Sequence, residues 1–242
     1  MVDLHCHILP EMDDGARDAR ESMAMARLAL ERGTTRLVAT PHCRADGAAA
    51  VQDATGFLQE QLQCLGIPLT IVPGMEIMAD AQTPRLLQEG KLLTLGGSRY
   101  PLVEFAFDGD GQLPKQLLHQ LVEAGYCPVI AHPERYSYIQ QDPRLLNDWL
   151  DMGCLLQLNK GSFSGQFGAQ CQALAFSLVA RGYAGIIASD GHGFTHRKPT
   201  LDRTWDVIAS EFSPKAAAVL LQENPRRILK NISIPAPRLH RF

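Results

Sequence analysis

Seven short runs rich in Val, Ile and Leu recur along the 242-residue chain, and stretches with helical spacing separate them. The runs are VDLHCHI (2–8), TRLVATPH (35–42), LTIVPGMEI (69–77), PLVEFA (101–106), CPVIAHPE (127–134), CLLQLNKG (154–161) and AGIIASDGH (184–192). Between them, residues 18–32 place Met23, Ala26 and Leu30 at helix spacing and stop before Gly33, and 55–65, 114–124, 143–152 and 168–181 behave alike. QTPRLLQ carries its proline where a first helical turn tolerates one. Alternation from end to end demands crossover connections and hence a parallel sheet. Seven such units with no linker or internal repeat predict one closed, barrel-like α/β domain over residues 1–230. The proline-interrupted tail NISIPAPRLHRF (231–242) reads as a surface extension. A doubly wound open sheet is the alternative, but no GxGxxG follows the first strand.

Composition narrows the partners. A net charge of −3 and a pI near 6.2 recommend neither nucleic acid nor an anionic membrane. No charged segment followed by an apolar stretch opens the chain, and no apolar run is long enough to span a bilayer. The expectation is a cytoplasmic protein without direct membrane insertion. Six scattered cysteines with no CxxC pair read as reduced thiols. Oligomeric state is left open, and a homo-oligomer is compatible with the sequence.

The last residues of the predicted strands share one chemistry. They are His5 and His7, His42, Glu76, Glu104, His132, then Asp190 with His192, and Asp13 and Asp14 follow the first strand closely. In parallel α/β barrels the carboxyl ends of the strands gather into a common site. The HCH alternation lets both imidazoles face one way while the Cys6 thiol faces the other. Taken singly, a strand-end histidine is ordinarily a hydrogen-bonded structural group, and the glutamate of PLVEFA a buried carboxylate paired with an arginine. Five of eight histidines and four acids at equivalent strand ends are a different matter. Imidazole with carboxylate suits zinc, iron or manganese, in number enough for two or three ions.

Other features carry less. His119 falls on a helical surface, His240 in the tail, and His196 in a solvated loop. DGDG (108–111) lacks the later acids of a calcium loop and reads as a turn. GSFSG (161–165) has Phe163 where a nucleophile elbow needs serine, and no GxxxxGK[ST] cradle occurs.

LHCHILPEMDDGARD, ATPH, PGMEI, AHPERY, and SDGH followed by Arg197 closely resemble the polymerase-and-histidinol-phosphatase (PHP) superfamily. Within it they are similar to the bacterial capsule and exopolysaccharide tyrosine-protein phosphatases of CpsB/CapC type, a likeness that extends to QLNKGSFSGQFG and ENPRRILKN. The resemblance implies a distorted seven-stranded (β/α)7 TIM-like barrel holding three divalent ions, manganese first, with iron or zinc as alternatives. It implies His5, His7, Glu104 and Asp190 around one ion and Glu76, Glu104 and His132 around a second, with Glu104 bridging. Asp14, His42 and His192 take the third. Arg135 and Arg197 resemble the family's phosphate-binding arginines, and Asp13 is expected only to hydrogen-bond within the DDG turn. TPHC with Cys43 and SDGHG with Gly191 and Gly193 depart from the TPHH and SDAHN of similar proteins without losing a ligand. Lys160 acquires no role.

The implied reaction is hydrolysis of phosphotyrosine through a metal-bridging hydroxide, on the tail of a tyrosine autokinase that regulates capsular or exopolysaccharide synthesis. Coordination lowers the pKa of water to roughly 7, and a phenol, with a pKa near 10, departs with little acid assistance. The thiolate route requires arginine six residues after a cysteine. The residues six on from the six cysteines are Met, Ala, Thr, Pro, Lys and Ser. Phe107, Phe163, Phe167 and Phe194 are expected to form an apolar rim. The competing readings are a phosphatase of a small ester such as histidinol phosphate and a metal-stabilised module that masks a kinase tail without turnover. A nuclease is disfavoured by the lack of a basic tract.

Overall fold

A computed structural model describes residues 1–42, 47–235 and 240–242. Eight strands are found among them: β1 (Val2–Cys6), β2 (Arg36–Ala39), β3 (Thr70–Pro73), β4 (Glu76–Met78), β5 (Leu102–Glu104), β6 (Val129–Ala131), β7 (Leu155–Asn159) and β8 (Ala184–Ala188). They form two sheets in the orders β1-β2-β3 and β4-β5-β6-β7-β8, with every pairing parallel.

The α/β class with parallel sheets holds, whereas the strand count differs from seven. The run 69–77, expected as one strand, breaks at Gly74 and Met75, so β3 pairs with β2 and β4 with β5. Gly74 donates its N–H to Ala39 O at 2.9 Å, and a Cβ there would lie 2.7 Å from Val38 Cγ1. The bend therefore needs a residue without a side chain. The two sheets meet at two seams, each a single parallel bridge: His42 with Glu76 and Cys6 with Gly191. Backbone bonds from Asp190 N to His5 O (2.9 Å) and from His7 N to Gly191 O (2.8 Å) reinforce the second.

Period-two alternation sorts the strands' apolar side chains into two clusters. Val2, Leu4, Val38, Leu102, Val129, Ala131 and Ile186 share an inner cluster. Leu37, Val103, Ile130 and Ile187 turn the other way, onto the larger cluster that includes Met25, Leu58, Leu118, Trp149 and Leu178 from the helices.

The expected helices appear, with shifted bounds. Ala19–Glu31 is capped by Asp18, whose carboxylate accepts the Glu21 N–H at 2.8 Å. Its fully buried face is Ser22, Met25, Ala26 and Ala29, with Met23 and Leu30 only partly covered. Ala48–Cys64, Gln112–Glu123, Leu145–Asp151 and Ala169–Ala180 correspond to the other four segments, and Thr83–Gln88 has Pro84 in its first turn. The helices of the last third (Asp202–Glu211, Pro214–Ala218, Asn224–Leu229) were not expected. The tail, expected as a surface extension, is tied down: Ile232 O accepts the Tyr100 hydroxyl at 3.0 Å, and Phe242 meets the Tyr183 ring edge-on at 5.1 Å. No helix of the described residues is long and apolar enough to cross a membrane.

Candidate metal centre

β1 supplies the floor of the site. Its register shifts between Asp3 and Cys6. Leu4 packs in the inner cluster, Cys6 in the outer one, and His5 and His7, both fully buried, converge with Nε2 atoms 3.2 Å apart. Imidazoles and thiol are segregated as the HCH spacing predicts.

The turn after β1 fixes one of those rings. A Cβ on Gly15 would stand 2.1 Å from His7 O, so only glycine lets the turn fold back here. Asp13 Oδ1 accepts the Gly15 N–H at 2.9 Å, while Oδ2 faces His7 Nδ1 at 2.6 Å and accepts the His42 N–H at 2.8 Å. Asp13 thus makes its turn bond and also orients two histidines. Asp14, largely exposed, places Oδ1 3.4 Å from His192 Nε2.

Glu76, the first residue after the break, occupies the middle. Its Oε2 lies 3.1 Å from His5 Nε2, 3.2 Å from His7 Nε2 and 3.4 Å from His42 Nε2, and its Oε1 lies 3.0 Å from His132 Nε2. Glu104 reaches His132 Nε2 at 3.5 Å and His42 Nδ1 at 4.0 Å. Asp190 turns Oδ1 towards His5 and His7 (both 3.5 Å) and His192 Nδ1 (3.4 Å). Its Oδ2 accepts from Asn159 Nδ2 (2.5 Å), Arg197 Nη2 (2.5 Å) and Arg135 Nη1 (3.4 Å).

All nine expected side chains therefore come together. They fall into four overlapping groups: His7, Asp14, His42 and His192; His5, His7 and Asp190; His5, Glu76 and His132; His42, Glu76 and Glu104. The carboxylate common to two groups is Glu76, and Glu104 belongs to one. Holding this arrangement costs backbone strain. His132, Asp190 and Arg197 adopt φ of +33°, +49° and +46°, a region that costs a non-glycine residue roughly 1–3 kcal/mol.

The donor atoms fit divalent ions. His7 Nδ1 faces the Asp13 carboxylate, His192 Nδ1 faces the Asp190 carbonyl at 3.0 Å, and His5 Nδ1 faces Gln157 Oε1 at 2.9 Å. These partners accept, so the ring proton belongs on Nδ1 and the Nε2 lone pair points inward. There the Nε2 atoms meet carboxylate oxygens, themselves lone-pair donors, and Asp190 Oδ1 is buried without a hydrogen-bond partner. Lone pairs aimed at one another from 3.1–3.5 Å call for positive charge between them. The electrostatics agree. Burial opposes charge on His7, but hydrogen bonds to Asp13 and Glu76 outweigh it and raise its pKa to about 10. Burial and the Glu76 charge push Glu104 up to about 7, and burial with the neighbouring His7 charge brings His192 down to about 4. A metal ion supplies positive charge at the same place and takes the nitrogens as ligands instead of protons.

The rim carries the two arginines, both partly exposed. Arg135 lies between two rings, with Cζ 4.7 Å from the Phe107 centroid and 4.4 Å from that of Phe167. Phe107 also stacks on His132 at 5.8 Å. Phe194 is exposed, but Phe163 is buried against Phe176 and leaves the expected apolar rim. Lys160 Nζ donates to the carbonyls of Lys198 and Thr200, His196 is exposed in its loop, and Cys43 lies outside the described residues.

Three supporting residues had no expected role. Gln157 and Asn159 orient His5 and Asp190, and they are polar residues at alternate positions in an otherwise apolar strand, a readable signal. Glu134 is buried, and its Oε1 accepts the Asn159 N–H and the Ser162 hydroxyl, both at 2.7 Å. It ties the loop after β6 to the end of β7.

The family model described as capsular polysaccharide synthesis, CpsB/CapC, matches residues 1–230. The tyrosine-protein phosphatase YwqE of Bacillus subtilis (strain 168) is 37% identical over 238 residues, covering 97% of this chain and 93% of that protein. The tyrosine-protein phosphatase CpsB of Streptococcus pneumoniae is 30% identical, covering 95% and 98%. A crystal structure from work on YwqE and CpsB, described there as unique metal-dependent tyrosine phosphatases, superposes with a TM-score of 0.94 at 36% identity, over 100% of this chain and 99% of that one. The phosphotriesterase homology protein of Escherichia coli, at 14% identity and a TM-score of 0.59 over 94% and 96% of the two chains, shares the fold alone.

Proposed function

The chain belongs to the CpsB/CapC family of capsular polysaccharide synthesis, and from that premise we propose that it is a metal-dependent tyrosine-protein phosphatase. The observation that carries the reading is the inward-facing set of imidazole and carboxylate lone pairs with two arginines at its rim. His5, His7, Asp14, His42, Glu76, Glu104, His132, Asp190 and His192 would hold the ions, three in number and manganese by preference, with iron and zinc as alternatives. In the seven-stave barrel that this family reading implies, β3 and β4 count as one stave broken at Gly74.

Bound ions make hydroxide available near neutral pH and neutralise phosphate charge. The rest falls to the chain's own residues. Asp13, Gln157 and the Asp190 carbonyl keep the Nδ1 protons of His7, His5 and His192 out of the centre, so that the Nε2 atoms of these three stay free to ligate. Arg135 and Arg197 present planar donors suited to two parallel bonds to a phosphate. Phe107 and Phe167 pack against the Arg135 guanidinium and put aromatic surface beside it. A tyrosinate leaving group, with a pKa near 10, needs little help from an acid. The substrate we assign is the phosphotyrosine-bearing tail of a tyrosine autokinase that governs polysaccharide export, met in the cytoplasm.

The test pairs metal content by mass spectrometry, on protein purified without added metal, with kinetics on a phosphotyrosine peptide and on histidinol phosphate. About three ions per chain and a much higher kcat/KM for the peptide are expected. Faster turnover of histidinol phosphate would move the chain to small-ester hydrolysis, and binding without turnover would make it a masking module.

A further inference from the structure

Arg197 is the shared wall of two cavities. One, of about 420 Å³, contains Asp14 and His192 and opens onto the metal centre. The other, of about 400 Å³, is lined by Arg32, Lys160, Lys198, Asp202 and Arg203 as well as Arg197. Five cations face a single carboxylate there, in a chain whose net charge is −3, so the imbalance is local and opposite in sign to the whole.

Three of the five are already engaged. Arg32 Nη1 lies 3.3 Å from Asp202 Oδ2, Lys160 donates to the carbonyls of Lys198 and Thr200, and Arg197 holds Asp190. Lys198 and Arg203 are exposed and form no ion pair among the described residues. The Arg197 backbone, in its left-handed conformation, is fixed by the His192 N–H donating to its carbonyl at 2.9 Å. A fixed wall with a phosphate site on one face and a cation-lined hollow on the other defines two anion positions side by side.

We infer that the hollow is a second anion subsite, which receives a phosphate or carboxylate carried by a residue close to the phosphotyrosine in the same peptide. This deepens the phosphatase reading and rests on it. An extended peptide advances about 3.3–3.6 Å per residue and returns its side chains to one face at every second position. A residue two places from the phosphotyrosine is therefore displaced by about 7 Å, a span that one intervening side chain fills. A solvated charged loop would be the plainer reading, but it would neither be hollow nor gather cations against the chain's net charge.

The test uses the full chain loaded with manganese and three peptides built around the same phosphotyrosine. The residue two positions away is alanine, glutamate or a second phosphotyrosine, and p-nitrophenyl phosphate serves as the reference substrate. At low salt, the ratio of peptide to reference kcat/KM should be about tenfold higher for the doubly anionic peptides than for the alanine peptide, as expected for two exposed charge pairs. K198A/R203A should remove that advantage, and K198E/R203E should invert it. An advantage with both anions assigns the subsite to either group, and one with phosphotyrosine alone assigns it to phosphate. Equal ratios for all three peptides, or an advantage that survives K198A/R203A, would overturn the inference. Anisotropy binding of the same peptides repeats the comparison without turnover. Loss of reference hydrolysis in the metal-loaded wild type would instead count against the phosphatase reading.

Discussion

Arg197 Nη2 rests 2.5 Å from Asp190 Oδ2, so the guanidinium that would grip phosphate is parked on a carboxylate of the metal centre itself. Asp190 keeps its other oxygen for the centre, and the arginine is left to serve the substrate. Arg197→Ala and Arg135→Ala should each retain metal content while turnover falls by roughly 10²–10³, the usual loss for one charge-stabilising donor. Mass spectrometry with kinetics decides this. Loss of metal in either variant would recast that arginine as part of the centre's scaffold.

Removal of metal should abolish hydrolysis of an aryl phosphate, and manganese should restore it. Thiol alkylation should leave most activity, because Cys6 is fully buried and burial raises the Cys154 thiol far above its ordinary range and Cys171 to about 11, which keeps these thiols protonated and unreactive. Full activity of chelated, metal-free protein would end the mechanism.

The position of Glu76 ranks the carboxylates. From family likeness Glu104 is the expected bridge, yet Glu76 stands within 3.4 Å of four imidazoles and Glu104 within 4.0 Å of two. Glu76→Gln should therefore lower bound metal per chain more than Glu104→Gln does, as read by mass spectrometry after dialysis. The reverse order would return the bridging role to Glu104.

Asp13 touches no ion in this reading and acts through His7. Asp13→Asn should weaken metal binding by about 10–100-fold, as losses of such orienting partners typically do, with near-normal kcat at saturating manganese. Titration of apoprotein with metal measures it. A kcat defect that persists at saturation would place Asp13 among the reacting groups.

What the chain's letters revealed depended on how local the cause was. His5, His7, His42, His132 and Asp190 were legible because a strand ends at each, and parallel strands end together. The break at Gly74 was not, because β-forming residues flank it on both sides and the bend answers to Val38, a contact 36 positions away in sequence. Between Pro214–Ala218 and Asn224–Leu229 the helical path runs on through a π-helical stretch, Val219–Glu223, whose wider turn shifts the apolar residues off a single helical period. Phe163 looked like a rim residue because its loop borders the site, yet Phe176 draws it inward. The centrality of Glu76 is a matter of where the chain re-enters after the break, which no spacing encodes.

The two seams lead elsewhere. His5, His7 and His42 sit on or beside the three-stranded sheet, and Glu76, Glu104, His132, Asp190 and His192 belong to the five-stranded one. Where continuous ladder bonding gives way to one bridge on each side, the ligands lean across the gap from both halves. Ions seated there would work as rivets between two plates. An emptied protein would then loosen first along its joints, with amide exchange rising at His7, Glu76 and Asp190 while the ladders inside each plate stay closed.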